Sequence, residues 1–322
     1  MIKRPKIVCL GGGTGTYQVL LGLREYPVDL AAVVTMSDSG GSSGRLRREL
    51  GILPPGDARR ALLALSGVHL KKKTLDKLFD FRFNNGELAG HSLGNLLLAA
   101  LMQITGKTDI ALSEAAKILE VSGQVLPVTT DETDLVARLE DGTIIRGETN
   151  IDVREIKPEV PIKEVYLSPQ GRIFSGTKKA ILEADLLVFG PGDLYTSLIP
   201  NLLVAGINPA IKKSKADLVL IMNLMTKHGE TDGFQTSDFV REVRHYLGPA
   251  KDKLAYVLVN RKLKATPKVL GWYKKYQAEP VKNDLGKSQK NGFQVIVKNF
   301  SQKGNLLRHD SQKLAQTIMG LL

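Results

Sequence analysis

Short apolar runs rich in valine, isoleucine and leucine alternate with helical patterns along most of this 322-residue chain. Continuous apolar runs this short are typical of strands covered on both faces, and such strands form mostly parallel sheets. Their alternation with helices predicts a doubly wound α/β fold. The predicted strands are Lys6–Leu10, Leu30–Thr35, Leu186–Phe189, Leu218–Met222 and Leu254–Val259. The predicted helices include Tyr17–Arg24, Asp57–Leu65, Leu93–Ile104, Leu112–Glu120, Lys178–Glu183 and Ser237–Tyr246.

The middle of the chain follows a different pattern. Apolar and polar residues alternate on both sides of Asp141-Gly142, a dipeptide typical of a two-residue hairpin turn. We therefore expect 129–174 to be an antiparallel β insertion within a single nucleotide-binding domain of residues 1–322. Residues 260–292 are rich in lysine and interrupted by proline and glycine. This composition predicts a mobile cover over a site.

Composition argues against several classes of protein. The apolar stretch after the first basic residues ends at Leu10, which is too short for a signal peptide, and no run is long enough to span a membrane. The single cysteine, Cys9, cannot form an internal disulfide, so we expect a reducing cytoplasm. The net charge of +12 favours anionic partners. Nucleic acid ranks last among them, because the basic residues are scattered and not interleaved with aromatic ones.

The first predicted strand runs into a glycine-rich loop, GGGTG at residues 11–15, and then into a helix. Glycine lets the backbone approach a ligand closely, and a helix N-terminus favours anions. The loop lacks the third glycine of the dinucleotide fingerprint and the Gly-Lys-Ser/Thr of a P-loop. Two interpretations stay open, a phosphate site or close packing of strand and helix. The candidate ligand contacts are Gly12, Gly13, Thr14 and Gly15.

A second glycine-rich turn, SDSGGSSGR, follows the second predicted strand. Because the carboxyl ends of neighbouring parallel strands share one crevice, this turn should face the first loop. An acid there can bind a ribose hydroxyl or a metal, whereas hydroxyl groups and arginine can bind phosphate. The alternative is that Asp38 and Ser42 only cap a helix. The candidates are Asp38, Gly41, Ser42, Ser43 and Arg45.

Further polar residues follow at similar places along the chain. Asp57, in PPGD, can cap a helix or form with Asp38 a pair of carboxylates for Mg²⁺. Asn95 lies among leucines, where an unpaired amide is costly, so we expect it to bind a base edge or a hydroxyl. Two later strands end in the polar loops GPGDLYTS and NLMTKHGETDG, with the candidates Gly190, Gly192, Asp193 and Asn223. Four such loops predict a large polar crevice suited to a nucleotide.

Six stretches, in order, resemble the YvcK (GlmR) proteins of bacteria, which are related to CofD, the 2-phospho-L-lactate transferase. They are GGGTG, SDSGGSSGRLRRELG, PPGDARR, GELAGHSLGNLLLAAL, GPGDLYTSLIPNLLVAGI and GETDGFQTSDF. The resemblance implies a Rossmann-like, three-layer fold that binds nucleotides. YvcK-like proteins bind UDP-sugars, notably UDP-N-acetylglucosamine, and act in cell-envelope precursor supply, cell shape and growth on gluconeogenic carbon. CofD-like members transfer a phospholactyl group to a deazaflavin hydroxyl, using Mg²⁺.

The resemblance also implies roles for single residues. Thr14 is an expected UDP-sugar contact, and Asp38 matches the first acid of the family's Asp-Asp-Gly-Gly pattern. Ser39 replaces the second acid, which weakens a two-carboxylate metal site at that turn. The late tyrosine and arginine contacts of the family correspond to Tyr276 and Arg308.

We therefore expect a cytoplasmic UDP-sugar-binding regulator that forms a homo-oligomer and requires neither a cofactor nor a metal. Its expected protein partner is an enzyme of amino-sugar synthesis. The alternative is an Mg²⁺-dependent transferase that acts on a nucleotide-activated donor. In that case Asp38 and Asp57 would be the catalytic residues and the metal ligands.

Overall fold

A computed structural model of the chain describes residues 4–66, 73–286, 292–302, 304 and 306–322. Its strands are β1 (Lys6–Gly11), β2 (Asp29–Val34), β3 (Gln124–Pro127), β4 (Asp134–Leu139), β5 (Ile144–Arg146), β6 (Ile162–Ser168), β7 (Leu186–Phe189), β8 (Asp217–Ile221), β9 (Leu254–Asn260) and β10 (Gln294–Lys298). Its α-helices are α1 (Gly13–Leu23), α2 (Gly41–Leu50), α3 (Gly56–Leu65), α4 (Lys73–Asp80), α5 (Leu93–Thr105), α6 (Thr108–Ile118), α7 (Glu148–Asp152), α8 (Ser175–Glu183), α9 (Ile199–Leu203), α10 (Ile207–Lys213), α11 (Thr236–Leu247), α12 (Pro267–Lys275) and α13 (Ser311–Met319). A π-helical turn, Leu194–Leu198, leads into α9.

A seven-stranded parallel sheet, in the order β10-β9-β8-β7-β1-β2-β3, forms the centre of the fold. Alternate residues of β1 face opposite sides: Val8 and Leu10 enter one core cluster, and Ile7 and Cys9 enter the other. Both faces are therefore buried, as the apolar runs indicate. The predicted doubly wound α/β fold is confirmed.

Helices cover both faces of this sheet. On the Cys9 side, α1 packs between α3 and α13. On the other side lie α8 to α11. In the described part of the chain, no helix combines the length and the apolarity that crossing a membrane needs.

A separate three-stranded antiparallel sheet, β5-β4-β6, lies within the predicted insertion. The hairpin of β4 and β5 turns at Asp141-Gly142, as predicted. The apolar residues of this sheet belong to the same core cluster as Phe189 of the main sheet. The short helix α7 follows β5 and was not predicted.

The structure corrects several predicted boundaries. Helix α1 begins at Gly13, inside the glycine-rich loop, four residues before the predicted start at Tyr17. Helix α6 likewise begins at Thr108, one turn before the predicted start. The edge strands β3 and β10 and several further helices were not predicted, because their apolar runs are short or interrupted.

The structure describes most of the predicted cover segment, and 287–291 lie outside the described residues. The described part contains α12, and the backbone after it is hydrogen-bonded to the loop that follows β8. Its mobility stays a prediction.

Close packing of α1 on α13 generates a test of the fold. A Cβ at Gly22 would lie 2.1 Å from the carbonyl oxygen of Ser311. Gly22→Ala should therefore lower the free energy of unfolding by about 1–3 kcal/mol, measured by urea denaturation. The matched control is Gly271→Ala in α12, where a Cβ meets nothing within 4 Å. It should raise the free energy by about 0.5–1 kcal/mol, and equal effects of the two substitutions would contradict this packing.

Candidate functional site

A cavity of about 320 Å³ lies where β1, β2 and β7 end. Ligands of open α/β sheets bind at this edge. Five carboxylates and one arginine reach it, so we name it the acidic cavity. It is lined by Gly12, Gly13, Thr14, Gly15, Thr35, Asp38, Asp57, Arg60, Glu148, Asp152, Gly192, Asp193, Thr196 and Ser197.

The glycine-rich loop lets two other groups approach the start of α1. Asp57 of α3 accepts a hydrogen bond from the Gly13 N–H at 2.8 Å, and a Cβ on Gly12 would lie 2.2 Å from its other oxygen. A Cβ on Gly15 would lie 2.1 Å from the carbonyl oxygen of Pro191. Gly12 and Gly15 are thus required by packing, whatever ligand the loop binds.

Asp38, at the end of the β2 loop, lies next to Asp57. It accepts a hydrogen bond from the Gly40 N–H at 2.9 Å, and a Cβ on Gly56 would lie 2.7 Å from its second oxygen. The neighbouring Ser39 has a different role, because its hydroxyl accepts a hydrogen bond from the Thr149 N–H at 3.0 Å. Ser39 therefore holds α7 over the cavity.

Two of these carboxyl groups are strongly perturbed. Burial, and after it the charge of Asp38, raises the pKa of Asp57 to about 6, against the opposing effects of Arg60 and the Gly13 N–H. Burial, together with Asp38 and Asp152, raises the pKa of Glu148 to about 8. Crowded carboxylates of this kind favour protonation or a cation between them. Asp38 and Asp57 offer the carboxylate oxygens that Mg²⁺ prefers, but Asp38, Asp57 and Glu148 do not form a group of donors that all lie within 4.8 Å of one another.

A second group of acids in the site is paired with a lysine. The carboxylates of Asp152, Asp193 and Glu230 lie close enough to one another to hold a metal, but the ammonium of Lys227 lies among them. Its Nζ is 2.9 Å from Asp193 and 3.3 Å from Glu230, and it also donates to Asp152. Burial alone would lower the pKa of Lys227, but the three carboxylates outweigh it and raise that pKa. These acids form an ion-pair network.

A smaller cavity of about 180 Å³ adjoins the acidic one, and we name it the side cavity. The two share Thr14, Gly15, Gly192 and Asp193. Predicted residues Asn223 and Arg308 also line the side cavity, together with Tyr273. The Tyr273 hydroxyl accepts a hydrogen bond from the Leu307 N–H at 3.2 Å, which places α12 beside Arg308.

Several predicted residues line neither cavity. Ser42, Ser43 and Asn95 form a buried network: Asn95 Nδ2 donates to Ser42 Oγ at 3.1 Å, and His91 Nδ1 lies 3.0 Å from the same oxygen. Tyr276 is 60% exposed and packs on Trp272, so Tyr273 and not Tyr276 is the tyrosine beside Arg308. The predicted residues outside both cavities are Gly41, Ser42, Ser43, Arg45, Asn95, Gly190 and Tyr276.

Sequence reasoning missed four charged residues of the site. Arg60 follows Asp57 by one helical turn. Glu148 and Asp152 lie four residues apart, so a helix places both on one face. This spacing is visible in the sequence, but the alternation of apolar and polar residues in the same stretch predicts a hairpin. The sequence predicts that the loop with Lys227 is polar and faces the crevice, but its pattern does not distinguish the lysine from the other polar residues.

Fold and cavities together define an α/β protein with a ligand cleft at the carboxyl ends of its parallel strands. The family model described as "2-phospho-L-lactate transferase CofD" matches residues 7–301. The crystal structure of a UPF0052 family member from Bacillus halodurans superposes with a TM-score of 0.92 at 42% identity, and covers 99% of this chain and 100% of that one.

Relatives at similar identity carry a more specific name. A "gluconeogenesis factor" from Bacillus subtilis is 42% identical over 327 residues, covering 100% of this chain and 98% of the relative. One from Halalkalibacterium halodurans is 43% identical over 321 residues, covering 99% and 97%. The chain belongs to the CofD family, within its gluconeogenesis-factor (YvcK) group, and the resemblance in its sequence is confirmed.

Ionisation of Asp57 gives the site a pH dependence. The carboxyl titrates at 3.8 in the unfolded chain and at about 6 in the folded one, so the folded state loses stability as the pH rises from about 4 to about 6. The loss is up to about 3 kcal/mol. Asp57→Asn keeps an acceptor for the Gly13 N–H but cannot ionise, so its free energy of unfolding should fall less over this range.

Urea denaturation at pH values between about 4 and 7 measures this difference. The control is Asp217→Asn, an exposed acid at the start of β8. Parallel curves for the wild type and Asp57→Asn would show that burial does not perturb Asp57.

Proposed function

We propose that the chain is a cytoplasmic regulator that binds a nucleotide sugar, UDP-N-acetylglucosamine, across the acidic and side cavities. The observation that supports this most is their junction, where Thr14 and Gly15 line both cavities at the first turn of α1. The N–H groups of a first helical turn lack intrahelical partners and favour anions. A diphosphate at this junction would leave the base and the sugar in the cavities on either side.

The chemistry of the two cavities supports one orientation of this ligand. The ring of Tyr273 and the amide of Asn223 suit a base in the side cavity. Carboxylates of the acidic cavity accept hydrogen bonds from sugar hydroxyls and from an acetamido N–H. The same carboxylates would repel a further phosphate group. This favours a nucleotide sugar over a nucleoside triphosphate.

Arg308 and Arg60 are the cations that would bind the diphosphate. Arg308 lines the side cavity and Arg60 the acidic cavity, on either side of Thr14. A guanidinium can bind two phosphate oxygens at once, which a lysine cannot copy. The two arginines therefore offset the repulsion from the acids.

A regulator must also present a surface that its ligand changes. The loop that carries Lys227 is joined to the segment after α12: the Thr226 N–H donates to Glu279 O at 2.7 Å, and the Val281 N–H donates to Leu224 O at 3.1 Å. Helix α12 also contacts the ligand side through Tyr273. A ligand in the cleft therefore has two routes to α12.

The outer face of α12 is suited to a protein partner. Trp272 is 45% exposed and Tyr276 is 60% exposed, and the centroids of their rings lie 4.6 Å apart. Exposed aromatic residues of this kind are enriched in interfaces. We infer that an enzyme of amino-sugar synthesis binds there, and that the bound nucleotide sugar changes the affinity of this enzyme for α12. Such control of precursor supply would account for a role in growth on gluconeogenic carbon, and the relatives carry the name "gluconeogenesis factor".

Titration calorimetry with UDP-N-acetylglucosamine tests the ligand. Binding should need no Mg²⁺, and Arg308→Lys should weaken it by about tenfold or more, because a bidentate charged contact is lost. The matched control is Arg138→Lys, an arginine on β4 that pairs with Glu164 away from both cavities. Equal affinity of the wild type and Arg308→Lys would contradict the assigned diphosphate position.

The same titration addresses the transferase alternative. The observation in its favour is the pairing of Asp38 with Asp57, whose donors fit Mg²⁺. When bound, this ion would neutralise phosphate charge, and the chain's amides and arginines would orient the donor. Two results would favour the transferase over the regulator. GDP would bind tightly only with Mg²⁺, and Asp57→Asn would abolish a phospholactyl transfer.

Hydrogen–deuterium exchange tests the route to the surface. Saturating UDP-N-acetylglucosamine should slow amide exchange in α12 and in residues 276–282, because the ligand would fix Tyr273 and the Lys227 loop. Exchange in α6, which lines neither cavity, should not change. Binding without protection of α12 would remove the support for signalling through this helix.

A further inference from the structure

A third cavity, of about 470 Å³, opens on the other side of Thr14. It lies between α1, α3 and α4, and it shares Arg60 with the acidic cavity and Arg308 with the side cavity. We name it the basic groove. Its volume is within the range of small-molecule sites. Neither part of the proposed nucleotide sugar occupies it.

The charge of the basic groove is opposite to that of the acidic cavity. Five cationic side chains line it against two carboxylates, Asp76 and Asp80. Both of these carboxylates already have partners: Asp80 accepts from Arg59 at 2.8 Å, and Asp76 accepts from the Ser66 hydroxyl at 2.8 Å. The groove therefore keeps an excess of positive charge that its own acids do not neutralise.

Several of its donors have no partner. Within the part of the chain that the structure describes, the side chains of Lys77 and Arg308 make no ion pair or hydrogen bond. The side chain of Arg59 is only 6% exposed, and its Nε has no hydrogen-bond acceptor. A buried donor left unpaired costs free energy, and Arg59 is also a lining residue of the groove.

The remaining walls of the groove are apolar. Tyr17 and Leu21 of α1 and Leu63 of α3 are partly buried and face the same space. A bare phosphate would leave these side chains unused. A ring or carbon chain attached to the phosphate would cover them.

We propose that the basic groove is a second ligand site, which binds a phosphorylated small metabolite, a sugar phosphate, beside the nucleotide sugar. Lys77 and Arg59 bind the phosphate, and Tyr17 packs on the face of the sugar. The inference goes beyond the nucleotide-sugar proposal, because it requires the groove to stay open while the junction at Thr14 is occupied. The protein then responds to two metabolites, one nucleotide-linked and one phosphorylated.

The test is a calorimetric titration of glucose 6-phosphate into the protein, first alone and then saturated with UDP-N-acetylglucosamine. Glucose 6-phosphate should bind in both cases, inorganic phosphate more weakly, and glucose not detectably. Lys77→Gln should weaken glucose 6-phosphate binding by about fivefold and Lys77→Glu by more, with UDP-N-acetylglucosamine affinity unchanged. Lys77 is exposed, so neither variant should fail to fold. The matched control is Lys212→Gln, exposed on α10 at the opposite face of the sheet.

Three results would overturn the proposal. No binding of glucose 6-phosphate would exclude the site, and full competition by UDP-N-acetylglucosamine would mean that the phosphate occupies only the junction. Equal affinity for inorganic phosphate and glucose 6-phosphate would exclude a role for the sugar. If UDP-N-acetylglucosamine itself does not bind, the proposed function fails, while the Lys77 variants still decide whether the groove binds the sugar phosphate.

Discussion

The ammonium of Lys227, partly buried among three carboxylates, is the interaction on which the cleft depends. Asp152 belongs to α7 of the insertion, Asp193 follows β7, and Glu230 precedes α11. Without the ammonium, the three acids would repel one another, and Glu230, whose side chain is fully buried, would lose its cationic partner. Glu230 also accepts hydrogen bonds from Tyr195 and Thr196. The network therefore fixes the loop after β7 and the loop after β8. The insertion is thereby attached to the wall of the cleft, with Glu148 inside it.

This arrangement places negative charge on one side of Thr14 and positive charge on the other. The insertion adds Glu148 and Asp152 to a cavity that already holds Asp38 and Asp57, whereas the helices on the other side of Thr14 contribute arginine and lysine. A ligand with one strongly anionic part and one hydroxyl-rich part fits such a boundary in a single direction. A uniformly anionic ligand does not, because half of the site repels it. Charge separation thus adds to shape as a basis for selecting ligands.

Local pattern explains what could be predicted from the sequence. The strands at the centre of the sheet are continuous apolar runs, and Asp38, Asp57 and Asp193 follow strands or a rigid turn, so position along the chain was enough to find them. The edge strands β3 and β10 are harder, because an edge needs less burial and tolerates Gln124 and Lys298. Lys227 and Glu148 acquire their roles only when the insertion folds onto the main sheet, and the spacing of Glu148 and Asp152 does not record where their helix packs.

The glycine-rich loop shows why a motif alone leaves two interpretations open. In a dinucleotide-binding turn, glycine lets the backbone approach a pyrophosphate. Here Gly12 lets in the carboxylate of Asp57, which occupies the Gly13 N–H, and Gly15 lets in the carbonyl of Pro191. An anion supplied by the protein itself thus takes the position that a phosphate takes elsewhere. In the proposed function, a ligand phosphate would bind one residue further along, at Thr14 and Gly15, where both cavities meet. The packing interpretation therefore applies to Gly12 and Gly15, and the proposed ligand contacts are Thr14 and the open side of Gly15.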